Sequence, residues 1–354
     1  MKVLAINSSA RVGGQSKTEL ILNQLIEGMK EEEAEVEVIN IFKKKINYCI
    51  GCFTCWTKTP GECIHKDEMS KELFPKFMAS DLCILATPLF HYTLNANMKT
   101  FIERTLPFVE PFIVSKNGVT LHPLRQDPPP VVAVSVAGFP EHSVFEQLSS
   151  YLNYLYGKNL KAEIYIPGAE TLAQKKSDPV VKSVLDAITQ GGRELIKNNA
   201  VSKKTMEAIN TPTTDFKTMS AVGNIFWQTC IDEGVTPKEF DKLGMTPRPN
   251  SLESFLAIMK EGFNPEKSDG VKGVYQFIFS GEQKGDCYFE ILNNKINCRL
   301  GSAEKSDIAI IAPFELWMDI MTKKADGQQM FMDQKYKVEG DINLLIKMSE
   351  IFRS

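Results

Sequence analysis

The sequence predicts an α/β protein: a doubly wound five-stranded parallel sheet, followed by a smaller α+β domain. Three observations carry this. Five short apolar strand-like runs alternate with helical patterns over the first two hundred residues. A turn rich in glycine and hydroxyls joins the first strand to the first helix. Past residue 250, closely spaced strands replace the alternation.

At 354 residues, two domains are expected, and 43% apolar with 24% charged residues is ample for ordinary cores. The net charge is −3, and Lys43-Lys44-Lys45 is the one basic block, so neither nucleic acid nor an anionic membrane surface is an expected partner. No apolar run approaches a membrane span, and the N-terminus begins a strand without a signal-peptide layout, so a cytoplasmic location is expected.

The first strand is read at Met1–Asn7. Ser8-Ser9-Ala10-Arg11-Val12-Gly13-Gly14-Gln15-Ser16-Lys17-Thr18 follows it, and then comes a helix with Leu22, Leu25, Ile26 and Met29 on one face. Ser16-x-x-Glu19 reads as a capping box. Free amides of a first helical turn, together with the helix dipole, favour an anion, and Gly13 and Gly14 permit close approach. The spacing is neither GxGxxG nor GxxxxGK[ST], which excludes the usual dinucleotide and NTP loops and leaves a mononucleotide, with FMN as the expected occupant.

Val36–Phe42 alternates like a second strand. Leu82–Thr87, Val131–Val136 and Ala162–Ile166 are continuous apolar runs, as expected of strands covered on both faces. Helical patterns occupy Asp67–Ala79, Leu94–Arg104, Val144–Tyr156 and Val180–Asn198. In the flavodoxin-like strand order, ligands sit beyond the carboxyl ends of strands one, three and four. The last two of these ends run into Pro88-Leu89-Phe90-His91-Tyr92-Thr93 and Ala137-Gly138-Phe139, which would supply the amides and walls of a flavin site. The connection from Arg104 to Val131, rich in proline, is expected to fold over the cleft or a neighbouring subunit, with His122 and Arg125 in structural roles.

Residues 200–240 read as a helical extension packing back on the sheet, so the first domain is expected to span 1–240. Asp241–Asn250 then forms a linker, and 251–354 the second domain. There, Leu252, Phe255, Leu256 and Met259 mark a helix. Strands follow at Val271–Phe279, Cys287–Leu292, Lys295–Leu300 and Ile308–Ile311, with Asn293-Asn294 as a tight hairpin turn. Helices return at Phe314–Met321 and Ile342–Phe352. This part has no histidine but is rich in Met and Phe, which either fill a core or line a cavity for an apolar ligand.

Four of the eight cysteines crowd into Cys49-x2-Cys52-x2-Cys55-x7-Cys63. Such spacing suits an iron–sulfur cluster better than structural zinc, a [4Fe–4S] centre being the metal reading and free or regulatory thiols the alternative.

Residues 1 to about 200 resemble the NAD(P)H-dependent flavin reductase and iron–sulfur flavoprotein branch of the flavodoxin-like superfamily. The matching pieces are INSSARVGGQSKT, CIGCFTCWTKTPGECIHKDEM, ATPLFHYTLNANMKTFIERT and VSVAGFP. The family's usual Gly-Ser-Pro-Arg opening is replaced here by Asn7-Ser8-Ser9-Ala10-Arg11, which keeps the polarity and hydroxyls. The resemblance implies that Ser9, Arg11, Gln15, Ser16, Lys17 and Thr18 hold the FMN phosphate, that Pro88–Thr93 and Ala137–Phe139 flank the ring, and that Cys49, Cys52, Cys55 and Cys63 ligate a cluster. Residues 250–354 resemble the sterol carrier protein two (SCP2) lipid-transfer domain across GVYQFIFSGEQKGDCYFEILNNKINCRLGSAEKSDIAI and APFELWMDIMTKKADGQQMFMDQKYKVEGDINLLIKM.

Together these imply a flavin-dependent oxidoreductase that takes hydride from NADH or NADPH and serves a quinone-like, lipophilic or iron–sulfur acceptor, with a tethered lipid-binding domain. Tyr92 and His91 are the candidates for proton delivery. A homo-oligomer, dimer or tetramer, is expected from the resemblance. The alternatives are single-electron transfer without nicotinamide, or a flavin- and lipid-binding sensor.

Overall fold

The computed structural model describes residues 1–11, 14, 16–116, 118–174 and 178–352. By contacts the chain divides into two compact units, Met1–Phe216 and Lys217–Ser354.

In the first unit, β1 (Lys2–Asn7), β2 (Glu35–Asn40), β3 (Leu82–Pro88), β4 (Val131–Val136) and β5 (Leu160–Ile166) form a wholly parallel sheet in the order β2-β1-β3-β4-β5. This is the flavodoxin-like order. Successive residues of the central strands point to opposite faces, and both faces are covered, hence the unbroken apolar runs. Val3, Ala5, Ile84 and Val134 pack with α1 (Lys17–Glu31) and the long helix Pro179–Asn198. Leu4, Ile6, Leu85 and Ala133 pack with the helices Phe74–Ala79, Ala96–Glu103 and Glu146–Tyr156. Gly28 and Gly192 let α1 and Pro179–Asn198 touch along their backbones: a Cβ added at Gly192 would lie 2.1 Å from the Leu25 carbonyl oxygen.

There are two local differences from expectation. The helix read at Asp67–Ala79 begins instead as a π-helical turn, Met69–Leu73. Asp67 lies just outside it, its carboxylate held by Arg104 and by the Asn47 and Ser70 amides. The long connection after Arg104, expected to fold over the cleft or a neighbouring subunit, packs within the chain. It contains a short hairpin, Val114–Lys116 with Val119–Leu121, and packs on the cysteine segment through His122, whose ring is 5.0 Å from that of Trp56, and through Arg125, which lies against Gly61.

The second unit holds helices Phe216–Glu233, Pro237–Lys242 and Leu252–Glu261 and a five-stranded mixed sheet. Its strands are β6 (Gly273–Ser280), β7 (Gly285–Leu292), β8 (Lys295–Leu300), β9 (Ile308–Pro313) and β10 (Lys337–Gly340), in the order β8-β7-β6-β9-β10. The sequence reading placed 200–240 with the first domain and a linker at 241–250. By contacts the chain divides at 216/217, and within the second unit Arg248 donates its amide to the Thr229 hydroxyl (2.8 Å) and its guanidinium to the Asp319 carboxylate (2.6 Å). Asn293 and Asn294 both take positive φ (51° and 57°), the tight β7–β8 turn that the sequence predicts.

The α+β reading of this domain implies antiparallel strands, yet β9 runs parallel to β6. The crossover 301–307 that makes this possible is clasped by one buried polar side chain. Gln276 accepts from the Ala303 amide (2.8 Å) and donates to the Phe277 and Cys287 carbonyls (3.0 and 3.1 Å). Gln276→Leu orphans these buried groups. We expect the second unit to lose about 2 kcal/mol in urea denaturation, with faster hydrogen exchange at 301–307.

Candidate functional site

The site is built where β1 ends. Ser8, Ser9, Ser16 and Thr18 are all buried. The Ser16 hydroxyl donates to Ser9 Oγ (2.9 Å) and caps α1 by accepting the Glu19 amide (3.1 Å). Only this half of the expected capping box forms, and Glu19 Oε2 is buried without a hydrogen-bond partner among the described residues. The first amides of α1 have no acceptor within the helix, so its N-terminus is a positive end beside two aligned hydroxyls.

Three asparagines hold this loop. Asn7 Oδ1 accepts the Ser9 amide (2.9 Å), Asn40 Nδ2 donates to the Ser9 carbonyl (3.1 Å), and Asn95 Nδ2 donates to the Ser8 carbonyl (2.7 Å). Asn95 also caps the helix Ala96–Glu103, and Asn40 caps a 3-10 turn. Sequence reasoning gave these residues no role. An Asn at a strand end just ahead of a helical pattern was the signal that could have found them.

Of the other loop residues expected to hold an anion, Arg11 is exposed, and Lys17 binds the Glu170 carboxylate (2.6 Å). Gln15 lies outside the described residues.

At the end of β3, His91 and Tyr92 both take positive φ (47° and 63°), and Phe90 and Thr93 exchange backbone hydrogen bonds (3.0 Å each). The result is a two-residue type I′ turn that presents Phe90, His91 and Tyr92 to solvent. Pro88, Leu89 and Thr93 are partly buried beneath it. The Leu89 amide donates to the Val136 carbonyl (3.0 Å), tying this turn to β4. There Ala137 is buried, Gly138 and Phe139 are exposed, and a Cβ built on Gly138 meets nothing within 4 Å. The three strand ends thus leave amides, an open glycine and exposed aromatic rings on one rim of the sheet.

A second constellation lies in the segment after β2. Cys49, Cys52, Cys55 and Cys63 are free thiols lining one small cavity of about 20 Å³ together with Ile50, His65, Arg104 and Pro107. Burial pushes the Cys55 thiol up, and the neighbouring Cys63, Cys52 and Cys49 add to this. Among the described residues no three His, Cys, Asp or Glu side chains close on a point that would hold a single metal ion. A cluster presents four separate iron corners, so its thiolates stand farther apart than those around one ion, and the donor set fits that chemistry.

Under the cysteines Arg104 is almost wholly buried, its guanidinium donating to both Asp67 oxygens (2.8 and 3.0 Å) and to the Asn47 carbonyl (2.6 Å). Burial alone would raise the Asp67 carboxyl, but Arg104 and the Asn47 and Ser70 amides hold it well below the usual carboxylate range. Neither partner had a role in the sequence reading.

Comparisons with known proteins follow the two-unit division. Residues 1–171 match the NADPH-dependent FMN reductase family, and residues 252–353 match the SCP-2 sterol transfer family. An iron-sulfur flavoprotein of Archaeoglobus fulgidus is 41% identical over 108 residues, 30% of this chain and 47% of that protein. Iron-sulfur flavoprotein MJ0731 of Methanocaldococcus jannaschii is 36% identical over 104 residues, 29% of this chain and 50% of that one. The chain spans about half the length of these curated relatives. Among solved structures, an NAD(P)H:quinone oxidoreductase from Methanothermobacter marburgensis is 17% identical with a TM-score of 0.39, covering 55% of this chain and 94% of that one.

Proposed function

We propose, for a chain whose first 171 residues are of the NADPH-dependent FMN reductase type and whose residues 252–353 are of the SCP-2 type, that it is an FMN-dependent NAD(P)H oxidoreductase carrying a lipid-binding domain. The single observation behind this is the buried Ser9–Ser16 hydroxyl pair at the N-terminus of α1, fixed by Asn7, Asn40 and Asn95. That arrangement suits a phosphate monoester, since donors are fixed in advance and no acidic side chain shares the loop.

FMN, when bound, supplies hydride acceptance and release of electrons singly or in pairs. The chain's own task is to grip and wall. Ser9, Ser16 and Thr18, with the first amides of α1, would hold the phosphate, together with Arg11, Gln15 and Lys17. The turn Pro88–Thr93 and Ala137–Phe139 would flank the ring, and His91 and Tyr92, both exposed to solvent, would pass protons there. Cys49, Cys52, Cys55 and Cys63 would hold a [4Fe–4S] cluster, which when bound supplies one-electron storage. That gathering of thiols in one cavity favours a second reading, single-electron transfer.

In the second unit, Phe255, Tyr275, Phe277, Phe289 and Trp317 build an aromatic core edged by half-buried Met321, Met330 and Met348. Adaptable Met at the margin of such a core supports an apolar ligand, a lipid or quinone-like molecule. No helix among the described residues is long and apolar enough to cross a membrane.

The test is a visible spectrum of the purified chain followed by rapid mixing with NADPH and NADH. Flavin absorbance bleached by either nucleotide supports the reductase. A colourless protein that takes up no added FMN removes it. Ser9→Asp, which puts a carboxylate among the phosphate donors, is expected to weaken FMN binding at least a hundredfold by fluorescence titration while leaving the circular dichroism spectrum unchanged.

A further inference from the structure

Unpartnered nitrogens gather where the thiols do. Among the described residues, Trp56 Nε1, His65 Nε2 and Arg104 Nε are buried nitrogens with no hydrogen-bond partner, and all three belong to the cysteine segment or the helix end beneath it. His65 and Arg104 line the same cavity as the four cysteines, and the Arg104 guanidinium lies beside the Cys63 thiol. A buried N–H without an acceptor is costly, and a buried guanidinium with one carboxylate partner leaves donors to spare.

The terminal nitrogens of Arg104 are held in place. Three of its five N–H donors, all on the terminal nitrogens, go to Asp67 and the Asn47 carbonyl, which fixes the plane of the guanidinium, while Nε has no hydrogen-bond partner. Asp67 is itself fixed by the Asn47 and Ser70 amides, so the charge cannot swing away.

We propose that Arg104 is a positioning and tuning residue for a sulfur-ligated centre on Cys49, Cys52, Cys55 and Cys63: its Nε–H donates to a cysteine sulfur of the loaded centre, and its fixed positive charge favours the reduced form. This rests on the cluster reading above. Adding an electron to a thiolate-bound cluster adds negative charge. Asp67 balances the guanidinium overall, but Arg104 lines the cavity and Asp67 does not, so the cationic end of the pair is the nearer one and stabilises the reduced state more than the oxidised one. Hydrogen bonds to cluster sulfurs act in the same direction.

The experiment loads the full chain anaerobically with iron and sulfide, and compares wild type with Arg104→Lys and with the neutral pair Arg104→Met/Asp67→Asn. Iron and FMN content are measured first, then the reduction midpoint of the centre by a spectroscopic redox titration. Arg104→Lys keeps the charge and the ion pair but loses Nε–H, so a modest fall in midpoint is expected. The neutral pair, which removes both charges together and with them the cationic end that faces the cavity, is expected to lower the ratio of reduced to oxidised centre at a fixed potential at least tenfold, about 59 mV for one electron. Variants that load iron normally and titrate with the wild type overturn the role of Arg104 and leave the cluster standing. Wild-type protein that binds FMN but takes up no iron overturns both.

Discussion

Gly192→Ala is expected to destabilise the first unit by about 3 kcal/mol, the upper end of what overpacking costs. Alanine in a helix interior ordinarily gains up to about 1 kcal/mol over glycine, so the sign itself is the test. The new methyl would lie 2.1 Å from the Leu25 carbonyl oxygen and 3.0 Å from the Met29 amide nitrogen, both backbone atoms that no rotamer change can move aside. Relief requires the helix Pro179–Asn198 to lift off α1 as a body. Gly28→Ala meets the same obstacle from the other side, with Thr189 O at 1.8 Å. Gly223→Ala, in the helix Phe216–Glu233 with nothing within 4 Å, is the control and should gain stability. Urea denaturation followed by circular dichroism reads all three. Because α1 carries the proposed phosphate grip at its first turn, FMN affinity should fall with stability in the two clashing variants and hold in the control. A Gly192→Ala protein as stable as wild type would mean that the two helices are not packed backbone to backbone.

The Arg104–Asp67 pair gives the second large effect. Removing either partner alone leaves a buried charge facing an apolar surround, which costs about 3–5 kcal/mol, whereas removing both charges is far milder. Arg104→Met and Asp67→Asn are therefore each expected to unfold the first unit at much lower urea, with the double variant recovering most of the loss. Acid adds an independent reading. Asp67 has its carboxyl depressed in the fold, so its contribution is fully present above the ordinary Asp range near pH 4 and is lost as pH falls below it toward the folded value. Asp67→Asn lacks this group, and its stability should flatten below about pH 4 relative to wild type. An additive double variant, with no recovery, would show that the two charges do not depend on each other.

Most of the architecture was legible because it rests on periodicity. Fully buried parallel strands must be apolar at every position, which made Leu82–Pro88 and Val131–Val136 plain. In Lys295–Leu300 and Phe314–Met321 the pattern and the observed bounds coincide. Shorter pieces escaped. Lys337–Gly340 and the hairpin Val114–Lys116 with Val119–Leu121 lie largely exposed and carry no buried stripe to be read. The parallel pairing of β6 with β9 was equally hidden, since a strand's direction is set by its crossover and not by its composition.

By itself the sequence determined the two-part plan, the doubly wound sheet, the polar turn ahead of α1 and the spacing of four thiols, because each is a local pattern within a few tens of residues. The tertiary structure alone decided what lies beside what. It set Asn40 and Asn95 around Ser8 and Ser9 from more than thirty and eighty positions away, and it buried Arg104 against Asp67 beneath the cysteines. It also put Gln276 under the crossover. Each of these is a polar group taken out of water and matched to a partner far along the chain, and such a match is an energy that exists only once the chain has closed.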